Sequence, residues 1–397
     1  MGVVVTGLGV LAGAVAGADQ LEQVLRGAST IPLIEVDRSA GYHRAESSRS
    51  AKLASGVDLK AWLSPGESRR MSRPSKFAVA AARMAVKDAN IDAAGPRTAI
   101  VLSSAFSAVE STEQILRAAF GDGPESASPF TFAESVANAP AAQVAIALKA
   151  EGRNVTIPQR EAGILTAIGR GAAEIESGRA DIVLAGGVEE MTPLLHAALD
   201  RFESLADEAR PFDRSRSGFV ASEGAAIVVL EDERRAKERG ATIRARVRGF
   251  AGAFDVTAPR IGWGDGVETL ARSIRRMLER AGVSSREIGR IVSGASGAKS
   301  GDRLEALTLR AVWNGETLPP VIAPKSMTGE YGGGFLGAAI LAAQGAPVAA
   351  TVGFKDVDPE LGVVPHDGSV LPPATFTLVT SLASGGSAAW LLLESAR

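Results

Sequence analysis

The stretch "NVTIPQREAGILTAIGRGAAEIESGRADIVLAGG" (154–187) reads as strand, sharp turn, helix and second strand. A strand that runs through a tight turn into a helix is where many enzymes mount a nucleophile. Here the turn holds Gln159, Arg160 and Glu161, and neither Ser nor Cys. The stretch sets the fold class, an α/β layering, and poses a chemical question: what does a nucleophile turn do without a nucleophile?

Working outward, buried-looking strands such as "TAIVLSS" and "ADIVLAGG" alternate with helical patterns along the chain, which calls for sheets covered by helices. Three segments recur in order. "KFAVAAARMAVKDANIDAAGPRTAIVLSSA" (76–105) has the form of "LARSIRRMLERAGVSSREIGRIVSGAS" (270–296). The 163–187 helix and strand resemble "GFLGAAILAAQGAPVAATVGF" (334–354), and "EGAAIVVLEDE" (223–233) resembles "GSAAWLLLESA" (386–396). Together they imply a duplicated α/β unit, with halves at 1–240 and 241–397. The extra length of the first half is expected in 120–140 and 194–219, as insertions that cap the core or carry specificity.

Composition excludes much. The 397 residues are 46% hydrophobic and carry a net charge of −2, so no basic surface for nucleic acid is expected. There is no cysteine, hence no disulfide, no thiolate and no cysteine-bound metal. His43, His196 and His366 lie far apart in sequence, and no metal or other cofactor is expected from them. The apolar N-terminus has no Lys or Arg before Arg26 and is broken by glycines. It reads as a buried first strand, with no membrane span and a cytoplasmic setting.

Six stretches carry a family resemblance: "VVVTGLGV" (3–10), "RRMSRPSKFAVAAARMAVKDANI" (69–91), "ADIVLAGGVEEMTP" (180–193), "RPFDRSRSGFVASEGAAIVVLE" (210–231), "PKSMTGEYGGGFLGAA" (324–339) and "SLASGGSAAWLLLE" (381–394). They resemble the β-ketoacyl synthase family across nearly the whole chain. The resemblance implies a thiolase-like fold, two duplicated α/β halves layered α-β-α-β-α. It also implies decarboxylative condensation, in which a Cys thiolate takes an acyl chain from an acyl carrier protein and two histidines assist.

Each reactive position departs from that pattern. The family's Cys falls on Glu161, its first His at or near Ser296 in "SGASGAKSGD", and its second on Glu330 in "KSMTGE". Lys325 is kept, and a gating Phe is replaced by Ser384. A carboxylate nucleophile would give a mixed anhydride, much less stable than a thioester, so condensation by this chain alone is rejected. At Glu161 two effects oppose: the positive end of the following helix favours its anion, and burial disfavours it. Glu161 could be a plain first-turn carboxylate beside Arg160, a plug in a closed pocket, or an acid–base group with Glu330. Lys325 is expected to pair with Glu330 or Glu305.

The resemblance extends to the chain length factors of type II polyketide and polyene systems, which pair with an active homologous ketosynthase. It implies a heterodimer, a carrier-protein partner and a shared tunnel. Phe106, Phe120, Phe130 and Phe132 are candidates for lining it, against ordinary core packing. Arg69, Arg70, Arg73 and Lys76 are candidates for carrier docking, against a solvated helix face. Two alternatives stay open: a malonyl-carrier decarboxylase, and a pure docking scaffold.

Overall fold

The computed structural model describes residues 2–47 and 49–396. Its body is an eleven-stranded mixed sheet. The ten principal strands are β1 (Val3–Ala12), β2 (Thr98–Ser103), β3 (Asn154–Ile157), β4 (Ile182–Glu189), β5 (Gly224–Asp232), β6 (Ala245–Phe254), β7 (Ile288–Val292), β8 (Val321–Ile322), β9 (Phe376–Leu382) and β10 (Ser387–Ser395). Their order is β8-β7-β9-β10-β6-β1-β5-β4-β2-β3. Read from the centre, each strand of one half has its counterpart five strands later in the other. The directions match too: the β2–β3, β2–β4, β7–β8 and β7–β9 pairs are parallel. The halves meet where β1 pairs antiparallel with β6, Val3 opposite Val247.

Strand patterning explains why both faces are covered. In β2, Ala99 and Val101 join one core cluster while Ile100 and Leu102 join another. In β10, Ala389, Leu391 and Leu393 face the shared cluster and Ala388, Trp390 and Leu392 face a third. Alternating residues that are apolar on both sides require helices on both faces.

Three layers of helices and the two halves of the sheet make five layers. α1 (Arg73–Ala89), α2 (Val109–Gly121), α3 (Pro129–Ser135), α4 (Ala139–Leu148), α5 (Gly163–Glu176), α6 (Pro193–Arg201), α7 (Val267–Ala281), α8 (Lys299–Trp313), α9 (Lys325–Thr328) and α10 (Gly334–Ala343) follow in chain order. α1 and α4 cover the outer face of the first half; α7 and α8 cover that of the second. α5 and α10 lie between, each packed on strands of both halves. All ten residues of α10 are buried, as expected of a helix that is apolar all round. Gly9 shows how tightly the layers stack: a Cβ there would sit 1.9 Å from the Ala81 carbonyl oxygen of α1.

The duplication read from the sequence needs one correction. The segment 344–354 after α10 is not a strand; the counterpart of β4 is β9, more than thirty residues on. The intervening segment runs along the sheet edge, where the His366 N–H donates to the Val321 carbonyl of β8 at 2.7 Å. The second half thus carries an insertion of its own.

Candidate functional site

The site forms where the N-termini of the two buried helices converge. Glu161 sits in a single 3-10 turn, Arg160–Ala162, between β3 and α5. Gly163 lets that turn press on β2, since a Cβ there would lie 2.1 Å from Ser103 Oγ. Arg160 adopts φ +46°, a conformation that costs a non-glycine residue roughly 1–3 kcal/mol. Its guanidinium reaches the other half and donates to the Ser384 carbonyl at 2.8 Å. It does not pair with Glu161, contrary to the plain first-turn reading.

Glu161 meets Tyr331 instead. The Tyr331 hydroxyl donates to Glu161 Oε1 at 2.7 Å, while Oε2 is buried and makes no hydrogen bond. Tyr331 precedes α10 and is itself at φ +71°. Its ring stacks edge-on against Phe106, centroids 4.8 Å apart. Burial and then the Glu330 carboxylate push the Glu161 pKa up; the Tyr331 hydroxyl and Lys325 pull the other way. Burial, with Glu161 and Glu330 beside it, holds the Tyr331 phenol well above its ordinary value, so it remains a donor.

Lys325 and Glu330 form a buried pair. Nζ lies 2.7 Å from Oε1 and 2.8 Å from Oε2, and also 4.9 Å from the Phe335 ring centre. Glu305, the other expected partner, accepts hydroxyl hydrogen bonds from Ser293, at 2.6 Å, and from Thr380. One ammonium therefore faces two carboxylates, Glu161 and Glu330. The trio is neutral when Glu161 holds a proton.

Two cavities flank Glu161. The inner one, about 40 Å³, is lined by Ser103, Glu161, Glu189, Lys325, Glu330 and Phe335 among others. It has room for a few waters and none for an acyl chain. The outer cleft, about 440 Å³, opens to solvent and gathers Glu161, Ser296, Glu330, Ser384 and Phe106. Arg160, Glu161, Glu330 and Tyr331 line both.

The structure thus brings all five positions of the expected site together, with Lys325 on the inner side. Sequence reasoning missed Tyr331, although it adjoins Glu330 and is one of only two tyrosines. It also missed Glu189, whose carboxyl burial pushes up to about 8 and which accepts N–H hydrogen bonds from Ala105 and, at 3.3 Å, Phe106. The histidines, distant in sequence, include a touching pair: His43 Nε2 and His196 Nδ1 are 2.9 Å apart. Among the described residues no group of three or more His, Asp or Glu has metal-binding geometry.

The other candidate residues divide. Phe106 lines the cleft, but Phe120, Phe130 and Phe132 are 87%, 49% and 62% exposed; none packs in this chain's core. Arg69 and Arg70 are exposed and Lys76 is partly so. Arg73 is engaged elsewhere, held by the buried Glu223 carboxylate with Nε 2.9 Å from Oε2. No helix among the described residues is long and apolar enough to cross a membrane.

Comparison with known proteins accords with this architecture. The profile "Beta-ketoacyl synthase, N-terminal domain" matches residues 1–236 and "Beta-ketoacyl synthase, C-terminal domain" matches 245–345. The chain is 29% identical to 3-oxoacyl-(acyl-carrier-protein) synthase 2 of Staphylococcus aureus (strain COL), over 99% of this chain and 98% of that protein. Among solved structures, the ishigamide ketosynthase/chain length factor superposes with TM-score 0.89 at 29% identity, covering 100% of this chain and 99% of that one. A β-ketoacyl synthase from Burkholderia phymatum STM815 gives 0.88 at 25% identity, covering all of both chains. With its thiolase-like fold, its paired halves and these matches along its length, the chain belongs to the β-ketoacyl synthase family.

Proposed function

We propose that this chain is a chain-length-factor-like subunit that does not condense acyl chains itself, but pairs with an active, homologous ketosynthase. The observation that carries the reading is the inner site. Where a condensing enzyme needs a thiolate and two imidazoles, this chain places Glu161, hydrogen-bonded to Tyr331, and the Lys325–Glu330 pair. No cysteine exists anywhere in the chain to carry a thioester. The 40 Å³ inner cavity leaves no room for a growing chain, so the tunnel would run in the partner.

The exposed Phe120, Phe130 and Phe132 on α2 and α3, with Leu116, Val136 and Ile146 nearby in sequence, are 40% exposed or more. Apolar exposure of that extent marks a surface that another chain covers. They would meet the partner beside the outer edge of β3 and help set product length. The two halves, 1–240 and 241–397, would each supply one wall of the vestigial site. A carrier protein would reach the pair at a basic face, for which Arg69, Arg70 and Lys76 remain candidates.

The test is co-expression with a ketosynthase encoded beside it. A stable heterodimer whose product length changes on substitution at Phe120 or Phe132 supports the reading. Failure to co-purify, or a product unaffected by removing this chain, overturns it.

A further inference from the structure

Glu161 stands on the partition between a pocket of water size and a cleft of ligand size. Its Oε1 is tied to Tyr331, and its Oε2 is buried with no hydrogen-bond partner. A buried, unpartnered carboxylate oxygen beside a 40 Å³ cavity that Glu189, Lys325 and Glu330 also line calls for water. On the other side, the 440 Å³ cleft is walled by Phe106, Phe202, Phe219 and Trp263 and holds two cations, Arg160 and Lys299. That size and lining suit a small acyl ligand with a polar carbonyl end. The two spaces adjoin at Arg160, Glu161, Glu330 and Tyr331, so a water held by the Glu161 carboxylate at that junction can stand against a carbonyl in the cleft.

We propose that this chain hydrolyses short acyl thioesters at Glu161, an activity separate from condensation and independent of pairing. Water at the junction of the two cavities adds its oxygen to the thioester carbonyl carbon as the Glu161 carboxylate takes its proton. The carbonyl π pair moves to oxygen, and the Arg160 guanidinium, which lines both cavities, balances that charge. When the intermediate collapses, the carbon–sulfur bond breaks and the proton passes from Glu161 to the leaving thiolate. The products are a carboxylic acid and a thiol, and Glu161 returns to its starting state. Tyr331 and the Lys325–Glu330 pair are positioning groups: one holds Oε1, the other sets the charge that Glu161 feels.

The chain has no cysteine, so a thiol reagent reads product with no signal from the protein. The assay uses acyl-N-acetylcysteamine thioesters of increasing chain length with the chain alone. Thiol release above buffer is expected, falling at least about 100-fold in Glu161→Gln. The rate should rise with pH as Glu161 ionises. Tyr331→Phe, by removing a donor to the carboxylate, should move that rise to higher pH; Glu330→Gln, by removing a like charge, should move it lower. A merely structural role would shift neither. Release no faster than buffer, or full activity in Glu161→Gln, overturns the proposal. Should that variant not fold, the direction of the Tyr331→Phe shift decides. Because the assay needs no partner, its failure is distinct from failure to pair.

Discussion

The two ends of the central sheet are built alike and finished differently. β3 and β8 are counterparts in the duplicated order, each parallel to the strand beside it. At β8 the edge is covered: Pro365 bridges to Val321, and the His366 N–H closes on it. At β3 no described residue pairs with the outer edge, and aromatic side chains of α2 and α3 are exposed. An open strand edge is a liability unless another chain covers it, and exposed apolar side chains mark a surface of the same kind. The difference teaches that one sheet end is finished within the chain, and the other is left open, as the proposed pairing requires.

The largest expected effect attacks the open end. Phe120→Asp with Phe132→Asp should abolish co-purification with the ketosynthase while the melting temperature of the isolated chain stays near the parent value. Buried aromatic anchors of an interface are worth about 2–4 kcal/mol each on truncation, and introduced charge adds desolvation. Pairing that survives both substitutions would place the interface elsewhere.

Next comes the buried Lys325–Glu330 ion pair. Lys325→Met leaves Glu330 buried without its cation, and urea unfolding should show a loss of about 3–5 kcal/mol. Adding Glu330→Gln should recover much of it, because the neutral amide no longer needs an ammonium. A single variant as stable as the parent would show that Glu330 finds solvent or another cation, and the account of the inner site would fall.

Smaller, but pH-dependent, is the effect of the buried carboxyls. Burial raises Glu189 to about 8, Glu190 to about 7 and Asp302 to about 7. Each is above its unfolded value, so the folded state holds more protons and stability falls as pH rises towards those values. His196 works oppositely: burial lowers it to about 4, so its contribution is lost as pH falls from about 6.5. Between pH 6.5 and 8 the carboxyls dominate; Lys52, lowered by burial to about 8, opposes them only towards the top of that window. Stability should drop by about 2 kcal/mol across that window, and Glu189→Gln should flatten the slope. A melting temperature that rises over the same window would reverse the assignment.

How much of this was legible in the sequence follows from which contacts are local. The layered fold was readable because apolar alternation in β2 and β10 and the all-apolar α10 force burial on both faces. Glu161 and the Lys325–Glu330 pair were readable because each lies at fixed spacing within a motif. Tyr331 was not, because its reach to Glu161 depends on a φ of +71°, which no residue pattern around it announces. The His43–His196 contact joins residues 153 positions apart, a distance that periodicity cannot bridge. The segment after α10 was mistaken for a strand because "APVAATVGF" has the apolar run of one. What decides against a strand there is tertiary: the place beside β7 is already filled by β9.

The smallest expected effect tests whether the contrast between the ends is real. Val370 is 96% exposed and lies in the segment before β9 that also covers β8. It is as apolar and as open as Phe120, so exposure alone would mark it as an interface residue too. The difference lies in what stands beside it: the β8 edge is already hydrogen-bonded by its own chain, so no strand edge is left for a partner. Val370→Asp should therefore leave co-purification, product length and stability unchanged. If it breaks pairing as Phe120→Asp with Phe132→Asp does, apolar exposure rather than the open edge governs assembly, and the two ends are not distinguished by how the sheet is finished.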